Sequence, residues 1–93
     1  MSFEDVHNYY ERLVQDHLNT LIEDTDVKIN NNEFEDIACI ALNMLPPRYI
    51  KHDVDILFYV SEQELSQMTE LTISAIKKAM THVKNHPRQE ESN

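Results

Sequence analysis

Glycine is missing altogether from these 93 residues. A backbone that never uses glycine to reach positive φ cannot build the Gly-rich loops that cradle phosphates. The P-loop, the dinucleotide fingerprint and the kinase loop are thereby excluded together. Folds rich in tight β-hairpins are disfavoured for the same reason. Cysteine occurs once, at Cys39, so no disulfide framework holds the chain, and the usage fits a reducing, cytoplasmic setting. No apolar run approaches the length of a membrane span, and the N-terminus is acidic rather than basic. Neither a transmembrane anchor nor a secretion signal is expected. Basic residues are scarce too: 8 Lys and Arg stand against 17 Asp and Glu, a formal charge of −9. Steering of duplex nucleic acid needs a basic field, so neither duplex nucleic acid nor a membrane is an expected partner. No internal repeat is present, and no low-complexity segment beyond Asn30–Asn32.

The charge that remains is uneven. Up to Asp36 ten acidic side chains face only Arg12 and Lys28, whereas from Ile37 onward seven face six. An anion-binding place therefore belongs in the second half, around Arg48, Lys51 and His52. The length allows one small domain over 1–87, followed by a polar tail, 88–93, expected to be disordered.

Three helices are readable. Ser2 and Asp5 form an acidic variant of a capping pair, and Val6, Tyr10, Leu13, His17, Leu18 and Leu21 recur at helical steps, giving a first helix over about 3–23. His17 lies on or beside that stripe, where a hydrogen-bonded structural histidine is expected rather than a ligand. A turn-rich connection, 24–32, holds a short extended piece at Val27–Ile29. Asn32 and Glu35 form a second capping pair and open a central helix over about 33–44. On a 100° wheel Phe34, Ile37, Ile40, Ala41, Leu42, Met44 and Leu45 cover more than half the circumference, so this helix is expected to be packed on several sides. Cys39 sits on its polar strip as a small, partly buried side chain. Pro46 ends the helix, since its ring clashes with the preceding turn. Ser61 and Glu64 form the clearest capping box, opening a third helix over about 62–85 on Leu65, Met68, Thr72, Ile76, Ala79 and Val83. His82 and His86 have a spacing that can chelate a metal, but without a third ligand in view a solvated helix end is expected, and no metal or cofactor. Between them, 53–60 reads as a short extended or helical connector, because periodicity cannot settle so short an apolar run. The fold class is mainly α. Apolar surface on both the central helix and this connector exceeds what three helices of this length can cover, so a homodimer is expected.

The contiguous string Ala41-Leu42-Asn43-Met44-Leu45-Pro46-Pro47-Arg48-Tyr49 resembles the signature of the late-competence ComFB family of small bacterial proteins. Length and helix order are similar over roughly Val6 to Pro87. The resemblance implies a regulatory protein, and members of the family have been described as cyclic-dinucleotide receptors. Carried over, it points to Arg48, with Tyr49 and Asn43 beside it, and to Lys51 for local neutralisation. Arg48 would pair with a phosphate or a guanine edge, Tyr49 would stack or shape the pocket, and Asn43 would add an amide contact. Set against this, Asn43 reads equally as a helix C-terminal residue, and Pro46-Pro47 as a rigid turn with Tyr49 packed over it. The P-P-x-Y match to peptides bound by WW domains is discounted, because the string abuts a buried helix. Some family members carry cysteine pairs in the region of 24–32, implying zinc. Asparagines stand there in this chain, and zinc is not carried over.

Catalysis needs a nucleophile, a poised base or a metal among oriented donors. Glu33, Glu35 and Asp36 are explained by capping and the helix dipole. A non-catalytic protein is expected. The partner the resemblance implies is a cyclic dinucleotide (c-di-GMP or c-di-AMP); a second copy of the chain and a protein partner of unknown identity are also expected. The alternative is a dimeric interaction module for competence or motility regulation that takes no small molecule and docks through its acidic first helix.

Overall fold

Asn8, not Ser2, starts the first helix. The computed structural model describes residues 1–87, and the tail 88–93 lies outside the described residues. Phe3 to Val6 form a turn closed by the Val6 N–H donating to the Phe3 carbonyl at 2.8 Å. A two-residue strand β1 (His7–Asn8) follows, then helix α1 (Tyr9–Thr25). Asn8 holds extended backbone, and its side chain accepts from the Tyr10 N–H, the role asparagine fills at an N-cap. The expected start near Phe3 is corrected because strand pairing takes the backbone that an earlier turn of helix would have used. At the other end Asp26 adopts left-handed geometry, φ 55° and ψ 27°. Glycine usually fills that cap; in a chain without any, an aspartate takes it, helped by its short polar side chain.

Helix α2 runs Asn31–Met44 and begins two residues earlier than the sequence spacing indicates. Its capping box uses Asn30 and Glu33 rather than Asn32 and Glu35: the Glu33 N–H donates to Asn30 Oδ1 at 2.8 Å, and the Asn30 N–H donates to Glu33 Oε1 at 3.1 Å. Val27–Ile29 is not a strand. Strand β2 is instead Tyr49–Ile50, antiparallel to β1, with His7 opposite Ile50 and Asn8 opposite Tyr49. The ambiguous stretch after it resolves as helical. A 3-10 turn at Asp53–Asp55 leads into a single-turn helix α3 (Ile56–Tyr59). Helix α4 (Glu62–Asn85) opens at Ser61, whose hydroxyl accepts from the Glu64 N–H.

The core lies where α4 packs along α2 and α1. Leu18, Ile37, Ile76 and Val14 are its largest fully buried apolar side chains, joined by Tyr10, Ala41, Leu45, Ile50, Ile56, Met68 and Ala79. Thr72 is the one fully buried polar residue among those described, and its hydroxyl donates to the Met68 carbonyl at 2.8 Å. That bond answers the cost of taking a hydroxyl out of water. The central helix is less enclosed than its wheel indicates. Only Ile37 and Ala41 are buried, Met44 is 50% exposed, and Cys39 is exposed rather than partly buried. Two neighbouring helices, α1 and α4, cover two sides of it, and among the described residues no further long helix covers a third. Among the described residues no helix is long and apolar enough to cross a membrane.

Candidate functional site

Leu45 is buried and extended, φ −99° and ψ 142°, as the following proline demands. The chain leaves α2 there and runs through exposed Pro46 and Pro47 to Arg48, whose backbone is fastened on both sides. The Arg48 N–H donates to Asn8 Oδ1 at 2.9 Å, and the Arg48 carbonyl accepts from the Tyr9 N–H at 2.8 Å. One side-chain oxygen of Asn8 thus caps α1 and fixes the corner. Alternation along β2 then turns Ile50 into the core and leaves Tyr49 outward, 66% exposed, rather than packed over the prolines.

The Arg48 side chain is half-buried. Its guanidinium lies 3.3 Å from Glu64 Oε1 and 3.4 Å from the Tyr59 carbonyl, to which it donates. Buried Tyr10 feels both groups: desolvation raises its hydroxyl pKa, Arg48 pulls it down and Glu64 pushes it up. An open groove of about 570 Å³ is lined by Val6, Arg48, Tyr49, Ile50, Lys51, Asp55 and Tyr59. Arg48, Tyr49 and Lys51 are therefore brought together. Asn43 is not: it is exposed on the last turn of α2 and does not line the groove.

His7, which pairs with the groove residue Ile50, belongs to a cluster that the sequence reading missed. Asp53 accepts from His7 Nε2 at 2.6 Å with one oxygen and from Arg12 at 2.7 Å with the other. Arg12 also donates to Asp16 at 3.1 Å, and His7 Nδ1 lies 2.9 Å from the Asp5 carbonyl. The Asp53 carboxylate, and then the Asp5 carbonyl, hold the His7 pKa above its ordinary 6.5. His7 in turn holds Asp53 below its ordinary 3.8, against partial desolvation and with help from Arg12. These partners are 41 and 46 positions apart, so no local spacing reports them. Tyr59 and Glu64 were also missed as groove neighbours. Glu64 had a visible signal, but a capping box accounted for it fully.

A second cleft, about 640 Å³, lies between the start of α2 and the end of α4 and is lined by Glu33, Asp36, Cys39, His82 and His86 among others. The two imidazoles stack with centroids 4.4 Å apart, and among the described residues no three His, Cys, Asp or Glu side chains are arranged to hold a metal. Its carboxylates disfavour an anion. The Arg48 groove sets two cations, Arg48 and Lys51, against one lining carboxylate, Asp55, and adds two tyrosines, so it is the better candidate for an anion.

Fold and groove together define a small, mainly helical domain, whose described residues form four α-helices and one two-stranded clasp. The family model described as late competence development protein ComFB matches residues 7–87, and the chain belongs to that family, generally regarded as non-catalytic. No curated protein and no solved structure matches the chain.

Proposed function

We propose that this ComFB protein is a non-catalytic regulatory receptor that takes a cyclic dinucleotide in the groove of Arg48, Tyr49 and Lys51. The observation that carries this reading is the fastened corner: a guanidinium held at a fixed backbone position beside exposed Tyr49 and Tyr59, with Lys51 on the same groove. Its volume falls within the range of small-molecule sites. A phosphodiester can take parallel hydrogen bonds from Arg48, while a base stacks on a tyrosine face. A molecule at −9 repels a dianion at long range. Local neutralisation by Arg48 and Lys51, doubled in a homodimer, answers that repulsion at short range. A two-fold ligand also matches a two-fold pair of grooves.

The test is calorimetric titration with c-di-GMP, c-di-AMP and cyclic mononucleotides at physiological salt. Saturable binding of a cyclic dinucleotide is expected, weakened by about 1.5–3 kcal/mol in Arg48→Ala, the worth of a lost charge-assisted contact. Equal binding by the variant moves the site away from Arg48. No binding by the wild type leaves the second reading, a dimeric interaction module without a small-molecule ligand. That reading draws on the exposed apolar side chains Val54, Leu57, Phe58 and Tyr59 around α3.

A further inference from the structure

The same sequence pattern, a capping residue followed three positions later by glutamate, has two outcomes in this protein. At α2 the box closes both ways, Glu33 returning a bond to the Asn30 N–H. At α4 only half of it forms. Ser61 Oγ accepts from the Glu64 N–H at 3.1 Å, but the Glu64 carboxylate sits on Arg48 instead of reaching back to Ser61.

The grip on Arg48 is loose. Its two contacts, 3.3 Å to Glu64 and 3.4 Å to the Tyr59 carbonyl, exceed the roughly 2.7–2.9 Å of a well-formed charge-assisted bond. In the same molecule Arg12 reaches Asp53 at 2.7 Å. Arg48 and Glu64 are each more than a third exposed, so an incoming anion can reach the pair.

From this we infer that Glu64 is a two-position carboxylate that regulates the groove, an inference resting on the receptor reading given above. In the unliganded protein it stands where an anionic oxygen of a phosphodiester goes. When such a ligand arrives, the carboxylate swings to the Ser61 N–H and completes the capping box of α4. The displaced charge gains a hydrogen bond at a helix N-terminus, which offsets part of the lost ion pair. Glu64 thus sets the affinity of the site, and ligand binding tightens the first turn of α4.

Glu64→Gln tests this, because glutamine keeps the capping geometry and removes the competing charge. Titration by NMR with inorganic pyrophosphate and with c-di-GMP is expected to show Glu64→Gln binding both roughly two- to fivefold more tightly than wild type, the worth of one exposed ion pair. In the wild type the Ser61 amide resonance should move downfield on saturation; in Glu64→Gln it should already be shifted without ligand. If Glu64 merely positions Arg48, the sign reverses and the variant binds pyrophosphate more weakly. Weaker, unchanged or unmeasurable pyrophosphate binding by Glu64→Gln overturns the inference, and wild-type binding of c-di-GMP in that case leaves the receptor reading standing. Tighter pyrophosphate binding without any binding of c-di-GMP supports the competition at Arg48 while removing the receptor reading.

Discussion

At the scale of single residues, Asn8 carries more than its place in a two-residue strand indicates. Its Oδ1 accepts from the Tyr10 N–H at 3.2 Å and from the Arg48 N–H at 2.9 Å, both partly buried. Asn8→Ala leaves two donors without this acceptor and is expected to lower stability by about 1–2 kcal/mol in a denaturant titration. Asn8→Asp keeps an acceptor in place, and most of that stability should be retained. The pairing of Asn8 with Arg48 also explains why the start of α1 was not legible. The spacing of Ser2 and Asp5 is local, whereas the bonds that decide the helix start come from 40 residues away. Two local signals agree with the structure: Pro46 ends α2 at its expected place, and Ser61 opens α4 where the capping box indicates. At the start of α2 three successive asparagines and two nearby glutamates offer competing local boxes, and spacing does not decide between them. The signature string drew attention to Arg48 and Tyr49; the contact of Glu64 with Arg48 and those of Asp53 with His7 and Arg12 are tertiary, and the one local mark, the capping box at Glu64, pointed to helix capping alone.

Among elements, the clasp of β1, α1 and the turn before α3 is joined by His7, Asp53 and Arg12. Its pH response follows from the two shifts. The His7 pKa is raised on folding, so its contribution is fully present below 6.5 and is lost as pH rises through the higher folded value. The Asp53 pKa is lowered, so its contribution is present above 3.8 and is lost as pH falls through the lower folded value. The clasp is therefore strongest in mildly acidic solution. Urea midpoints measured between about pH 5 and pH 9 should fall toward the alkaline end in the wild type, and His7→Gln should flatten that slope. An unchanged slope in the variant would assign the pH dependence to another group. The 53–60 stretch was undecided in sequence because four residues of α3 cannot display a helical period, and only Ile56 among them is buried.

For the whole molecule, the dimensions are 45 × 35 × 21 Å, a slab about two helix diameters thick. The radius of gyration, 14.8 Å, exceeds the roughly 12 Å of a globular chain of this length. A slab has little interior, which is why α2, apolar around much of its wheel, encloses only two residues. Phe58 is 80% exposed and Leu57 67%, so a large apolar face is left in water. The proposed homodimer buries it, and Phe58→Glu is expected to convert a two-chain species into a single chain in sedimentation velocity at micromolar concentration. A wild type that sediments as one chain under the same conditions removes the dimer.

The strand pair has one more consequence. It is only two residues long on each side, yet it joins segments some forty positions apart and holds one wall of the groove against the other. A pairing this short opens at a lower free energy than the helices beneath it. On warming, the groove is therefore expected to lose its shape while the helical scaffold is still intact, so that the proposed ligand site is given up before the molecule itself comes apart.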